Sequence, residues 1–376
     1  MPNSSANNPL ISRQSKLKHI LQTAGLDSLI LNPGPSMVYL TGLHFHLSER
    51  PVLVFLTPDY PLTIVLPELE QQKIKSLPYD IQAFPYGEDP SQWGGVFRKA
   101  IESTRLTSKR NGIEPRQLRL LEYRLLVDAA PQAKFIPGEE SLSQLRMYKD
   151  PTEISAMRKA VDIAQQALNA TLPQVKIGLT ERQLASELTM QLLKAGCDPH
   201  MPFSPIVSSG PNSANPHATP TDRKLSPGDS LVIDWGANYE GYYSDITRTF
   251  AIGGMQPELS QIGKLVLEAN TAARNTAQPG IEIKKVDQAA RSVIESAGYG
   301  KYFTHRTGHG LGMEGHEEPY IHSGNLMLLE PGMTFTIEPG IYLPGRNGVR
   351  IEDDVLIGTT GCETLTSLPR EIRQLA

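Results

Sequence analysis

The chain has 376 residues, a formal net charge of −4 and a pI near 6.2. That length suggests two domains, and the near-neutral charge gives no electrostatic footprint for nucleic acid or an anionic membrane. Cys197 and Cys362 make no disulfide framework, the first residues lack a signal-peptide core, and no apolar run approaches the roughly 20 residues that span a bilayer, so a soluble, reduced, cytoplasmic protein is expected.

Residues 1–14 are polar and read as loose. The spacing of Leu17, Ile20 and Leu21 predicts a helix over 14–24. Strands are predicted over 26–31, 52–56 and 62–66, helices over 91–104 and 118–130, and a short strand at Ile113. This alternation favours an α/β layer domain over 1–140. His44 and His46 within it read as loop or core residues. A linker is expected over 141–150. Pro151 then opens a helix at its first turn, where the missing N–H costs nothing.

The remainder, 151–376, contains an internal repeat. Gly178-Leu179-Thr180 leads a helix that ends at Ala195-Gly196, and Gly280-Ile281-Glu282 leads another that ends at Ala297-Gly298, an offset of 102 at both ends. Leu184, Leu188 and Leu192 map onto Val286, Ala290 and Ile294. Longer helices precede each, over 151–172 and about 257–277, and a β-rich, Gly-rich segment follows each. Two related α+β halves about a pseudo-twofold axis are expected, with strands of both meeting at the centre.

The β-rich segments carry the acidic residues. Residues 231–250 read as a hairpin turning at Tyr239–Glu240, which would set Asp234 opposite Asp245. Thr334 to Glu338 and Val349 to Val355 read as strands about a Gly/Pro-rich turn, a second hairpin with Glu338 and Glu352. Alone, each of these acids could be a surface residue. Together with His309, flanked by Gly308 and Gly310, they would repel unless cations lay between them. Four carboxylates and one imidazole suit two divalent cations, with Mn²⁺ foremost and Co²⁺ or Zn²⁺ as alternatives. His217, His305 and His316 stand near this set and could donate to a substrate carbonyl or an oxyanion. Arg350, two before Glu352, could orient Asp245 or hold a substrate.

The segments SGPNSANPHATPTDRKLSPGDSLVIDWG, YYSDITRTF, HRTGHGLGMEGHEEP, TIEPG and VRIEDD resemble, in order, the pita-bread metallopeptidases, which include Xaa-Pro aminopeptidase, prolidase, methionine aminopeptidase and creatinase. The front part is similar to the creatinase-type N-terminal domain. The resemblance implies an α/β N-terminal domain and an α+β pita-bread catalytic domain. It makes Asp234, Asp245, His309, Glu338 and Glu352 ligands of two metal ions. It makes His217, His305 and His316 substrate- and intermediate-stabilising residues. The implied reaction is metal-assisted hydrolysis with Glu338 moving the proton. The implied substrate is a peptide with proline at its second position, and the implied assembly is a homodimer. The complete ligand set speaks against creatinase and the non-enzymatic members.

Several prolidase-like sequences carry an Arg after the His-Glu-x-Pro motif, suited to the carboxylate of a dipeptide. Here that residue is Tyr320, which favours an Xaa-Pro aminopeptidase on longer peptides. The alternative is an Xaa-Pro dipeptidase with the charge supplied by Arg306, Arg346 or a front-domain residue. A hydrolase of another small amide and a non-enzymatic scaffold are the remaining readings.

Overall fold

The computed structural model describes residues 8–376. The chain divides into two compact units, one up to Arg146 and one from Met147.

The first unit has helices α1 (Pro9–Ala24), α2 (Pro35–Thr41), α3 (Trp93–Ser103), α4 (Leu120–Ala129) and α5 (Glu139–Arg146). Its strands are β1 (Ser28–Leu31), β2 (Leu53–Leu56), β3 (Leu62–Pro67), β4 (Ile81–Tyr86), β5 (Arg110–Ile113) and β6 (Lys134–Pro137), ordered β4-β3-β2-β1-β5-β6. Strands β1 to β3 are buried along their whole length, as expected where both sheet faces are covered. Phe55 and Val65 pack with Phe97 of α3 and Leu126 of α4.

Helix α2 was not expected from the sequence, and other features differ as well. Helix α1 starts at Pro9, because the Asn8 side chain accepts from Leu10 N at 2.9 Å and proline takes the first position. Residues 1–7 of the segment read as loose lie outside the described residues. Strands β4 and β6 were not expected; both are half-exposed edge strands containing proline, so their apolar signal is weak. The expected linker over 141–150 is helical up to Arg146. Leu142 and Leu145 of α5 are buried, and Tyr39 Oη donates to Leu145 O at 3.1 Å.

The second unit shows the repeat in its backbone. Helices α6 (Pro151–Thr171) and α7 (Glu181–Ala195) pack together, as do α8 (Pro257–Thr276) and α9 (Ile283–Ser296). Gly178 and Gly280 have φ of 87° and 81°, and Gly196 and Gly298 have φ of 101° and 83°. All four thus occupy the left-handed region that favours glycine. Leu184, Leu188 and Leu192 are fully buried, and so are Val286, Ala290 and Ile294. Asp150 and Glu153 close a capping box at the start of α6.

The strands of this unit are β7 (Ile206–Ser209), β8 (Ser230–Trp235), β9 (Asn238–Tyr239), β10 (Tyr242–Tyr243), β11 (Ile246–Ile252), β12 (Gly308–Gly310), β13 (Glu317–Ile321), β14 (Thr334–Ile337), β15 (Gly340–Tyr342), β16 (Gly348–Arg350), β17 (Asp353–Ile357), β18 (Cys362–Thr364) and β19 (Arg373–Leu375). The first half forms the sheet β19-β11-β8-β7 and the second β13-β12-β14-β17-β18. The two meet where Glu352 N donates to Thr247 O at 3.1 Å and Thr249 Oγ1 donates to Arg350 O at 2.9 Å.

Arg248 locks this seam. It is 2% exposed, and its five N–H groups reach Pro369 O, Thr247 O, Glu352 O, Leu368 O and Asp353 Oδ1 at 2.6–3.0 Å. Asp353 also accepts from Asn270, Thr366 and Arg370. Asp353→Ala would leave the Arg248 charge buried and unpaired, a loss of about 3–5 kcal/mol. Glu363→Ala removes only the exposed pair with Arg158 and should cost about 0–1 kcal/mol. Denaturant unfolding of both variants checks the contrast; equal losses would contradict the assignment of the seam.

Candidate metal centre

The first acidic hairpin turns at Glu240–Gly241, where both residues have positive φ (51° and 81°), the geometry of a two-residue turn that matches strand twist. Tyr242 therefore pairs with Tyr239, and Asp234 pairs with Thr247 rather than with Asp245. The expected register is off by two. A slip of two keeps every side chain on its face, so Asp234 and Asp245 are diagonal neighbours on one face. Asp245 N donates to Asp354 Oδ2 at 3.1 Å, which ties the turn's exit to the second half.

In the second hairpin Ile337 pairs with Asp353 and Gly340 with Arg350. The register is the same on both sides of the gap, so Glu338 stands opposite Glu352. Thr247 Oγ1 donates to Glu352 Oε2 at 2.6 Å across the seam. Arg350 donates through Nε to Thr247 Oγ1 at 3.0 Å, through Nη1 to Pro216 O and Tyr342 Oη at 3.1 Å, and through Nη2 to Asp234 Oδ2. Its partner is Asp234, not Asp245.

His309 is carried on β12. A Cβ at Gly308 would lie 1.8 Å from Thr336 O, and one at Gly310 would lie 2.2 Å from Glu318 O, so only glycine fits on either side. The Gly310 carbonyl accepts from His309 Nδ1 at 3.1 Å, which turns Nε2 toward Glu338 Oε1 at 3.5 Å and Asp245 Oδ2 at 3.7 Å. The His316 ring lies 4.0 Å from that of His309. His305 has both nitrogens engaged: Nδ1 with Arg306 O at 2.7 Å and Nε2 with Tyr342 Oη at 2.9 Å. A carbonyl only accepts, so Nδ1 carries the proton and the tyrosine hydroxyl donates to Nε2.

A cavity of about 700 Å³ is lined by all nine residues singled out in the sequence: His217, Asp234, Asp245, His305, His309, His316, Glu338, Arg350 and Glu352. Sequence reasoning missed its apolar wall of Pro202, Phe203, Ile206 and Pro216. It also missed Tyr342 and Asp354, whose roles depend on contacts remote in the chain.

Burial, with the neighbouring carboxylates, holds Asp245 and Glu352 well above the usual carboxylate range. Burial raises Glu338 to about 7 and raises Asp234 despite the Arg350 cation. Burial, then His316, keeps His309 well below the ordinary imidazole value. Burial thus drives each of these groups toward its neutral form. The donor set fits a divalent cation. Ligand atoms of Asp245, His309 and Glu352 lie within 4.8 Å of one another. Asp234 Oδ1 is buried with no hydrogen-bond partner among the described residues. The set has hard oxygens and one nitrogen and no thiol.

A seam of two related halves that gathers four acids and His309 in one pocket is the arrangement of a metal-dependent hydrolase. The chain belongs to metallopeptidase family M24, whose pattern matches residues 155–359, and the pattern of the creatinase/prolidase N-terminal domain matches residues 13–148. It is therefore a metallopeptidase, with an α/β N-terminal domain and an α+β pita-bread catalytic domain. Among solved structures it is 37% identical to the dipeptidase of Pyrococcus horikoshii OT3, over 96% of this chain and 100% of that one, with a TM-score of 0.90. It is 35% identical to the prolidase of Thermococcus sibiricus, over 96% and 98%, with a TM-score of 0.91. It is 32% identical to the X-Pro aminopeptidase of Thermotoga maritima MSB8, over 96% and 99%, with a TM-score of 0.84. No helix among the described residues is long and apolar enough to cross a membrane.

Glu352→Gln should act with opposite signs with and without metal. In EDTA it relieves repulsion and should add about 0.5–2 kcal/mol of stability. With Mn²⁺ at about 100 times its Kd, the wild type should gain about 2.7 kcal/mol and the variant far less. Thermal unfolding in EDTA and in Mn²⁺ tests this. A variant weakened in EDTA that keeps its full Mn²⁺ gain would contradict the site.

Proposed function

We propose that this chain is an Xaa-Pro dipeptidase, cleaving the bond before a C-terminal proline. This replaces the aminopeptidase expectation with its alternative. The carrying observation is Arg306. Tyr320 stands where several prolidase-like sequences have an arginine, but the Arg306 guanidinium carbon lies 4.3 Å from the Tyr320 ring centre and Arg306 lines the cavity. A cation thus reaches the place that residue 320 leaves uncharged, and a guanidinium can grip a carboxylate through two hydrogen bonds. Arg346 is instead paired with Glu258. The dipeptidase and prolidase relatives support the same reading.

Asp234, Asp245, His309, Glu338 and Glu352 would hold two divalent cations, Mn²⁺ foremost, with Co²⁺ or Zn²⁺ as alternatives. Such ions polarise a carbonyl and lower the pKa of water at neutral pH. Glu338 takes the proton of the attacking water and delivers it to the proline nitrogen, the leaving group. His217 and His316 face the scissile carbonyl and the proline. His305, with both nitrogens occupied, orients the segment carrying Arg306. Arg350 holds Asp234 in place. The apolar wall excludes water and receives the proline ring. The proposal keeps the protein cytoplasmic and homodimeric; light scattering on the purified protein tests the dimer.

Hydrolysis of an Xaa-Pro dipeptide and an Xaa-Pro-Xaa tripeptide, each with Mn²⁺, decides the substrate. The dipeptide should be preferred. Arg306→Met should raise its KM by about 10- to 100-fold, the loss of a charged hydrogen bond, and leave any tripeptide KM unchanged. Preferential cleavage of the tripeptide would restore the aminopeptidase reading.

A further inference from the structure

We infer that Glu181, outside the cavity, is the positioning residue for His217. This rests on the peptidase reading given above. Glu181 opens α7 and is fully buried, yet it touches none of the acids of the site. Its Oε1 accepts from Ser209 N at 2.7 Å, Ser209 Oγ at 2.8 Å and Asn212 Nδ2 at 3.2 Å. Its Oε2 accepts from Thr221 N at 3.0 Å, Thr221 Oγ1 at 2.6 Å and Asn212 Nδ2 at 3.1 Å. Ser209, the last residue of β7, and Thr221 flank the segment that carries His217. One carboxylate therefore ties the loop closed.

His217 depends on that loop more than the other histidines do. His305, His309 and His316 each have a ring nitrogen held by a neighbour. Among the described residues the His217 ring makes no hydrogen bond, and only its backbone N–H is held, by Asn215 Oδ1 at 3.2 Å. Elsewhere in the loop, Arg350 meets Pro216 O and the Ser213 hydroxyl meets Ser230 and Gly348 N. With its ring unheld, the imidazole follows the backbone of this segment, which Glu181 fixes at Ser209 and Thr221 and Arg350 fixes at Pro216. A glutamine at 181 would offer two N–H donors to a ring of donors, so the ends could not all stay bonded.

The second half repeats the device one helical turn further along. Asp287 of α9, fully buried, accepts from Thr307 Oγ1 at 2.7 Å and from Arg291, whose guanidinium holds Phe303 O at 3.1 Å and His305 O at 3.0 Å. Each half therefore fixes a histidine-bearing segment with a buried carboxylate on its repeat helix.

The test is a double-mutant cycle of Glu181→Gln and His217→Ala, scored by kcat and KM on a cleaved Xaa-Pro peptide with Mn²⁺, with His217 ring resonances followed by NMR. Glu181→Gln alone should lower kcat by about 10- to 100-fold, the scale of an ångström's misplacement, with KM changed by less. In the His217→Ala background the same substitution should change kcat by less than about twofold. The His217 resonance should shift or broaden in Glu181→Gln. If Glu181→Gln does not fold, Thr221→Val removes one bond of the clamp and should show the same coupling at smaller size. Equal losses in both backgrounds, or an unmoved His217 signal, would overturn the assignment. If the wild type cleaves no Xaa-Pro peptide but the signal moves, the clamp stands and the substrate reading falls.

Discussion

The structure of the catalytic unit depends on one seam, where β11 of the first half meets residues 350–352 of the second. Backbone bonds alone would align these segments, but they would not keep them dry and fixed. Arg248 does that, with all five of its donors satisfied and its charge met by Asp353. A buried pair of this kind is weak evidence of net stability, since apolar residues could fill the same space. Its value lies in register. Thr247 and Glu352 are paired because Arg248 reaches Glu352 O and Asp353 in the same stroke.

That register determines the chemistry. The acids stand where each hairpin meets the seam, so fixing the seam brings Asp234, Asp245, Glu338 and Glu352 into one pocket, with Arg350 paired to Asp234. Without metal this crowding is a standing cost, visible in Asp245 and Glu352, whose carboxyls burial and their acidic neighbours hold up. Sites of this kind trade stability for function. The cost is localised, because the apolar cluster beneath, from Phe335 to Val355, is closely buried and carries the fold.

Much of this was legible in the chain itself. The repeat could be read because glycine marks both ends of α7 and α9 and because their buried positions recur at the same spacing. The acidic hairpins could be read because strand formers flank a turn. The register of the first one was misplaced by two, since the sequence did not reveal that Glu240 accepts a positive φ. The error did no harm to the site because strand faces repeat every second residue. What stayed hidden was non-local. Nothing near Tyr342 signals that it bridges His305 and Arg350, and nothing in 141–146 signals a helix packed by Leu142 and Leu145. The sequence reading of substrate length rested on residue 320 alone, and the packing of the Arg306 guanidinium against the Tyr320 ring was likewise non-local.

This last point separates two kinds of residue. The candidate ligands sit at the ends of strands or, like His309, within one, where ladder bonds hold them to fractions of an ångström. His217 and Arg306, which line the cavity, sit on segments outside the sheets, and buried carboxylates on the repeat helices bond residues of those segments, Glu181 at Ser209 and Thr221 and Asp287 at Thr307. Rigid strands suit a cluster whose geometry must match a small cation; loops suit contacts that differ between substrates. A change in the clamps or in the residue beside Tyr320 can therefore re-aim the substrate contacts while the seam stays as it is. The same architecture is thus shared with proteins named as dipeptidase and as X-Pro aminopeptidase.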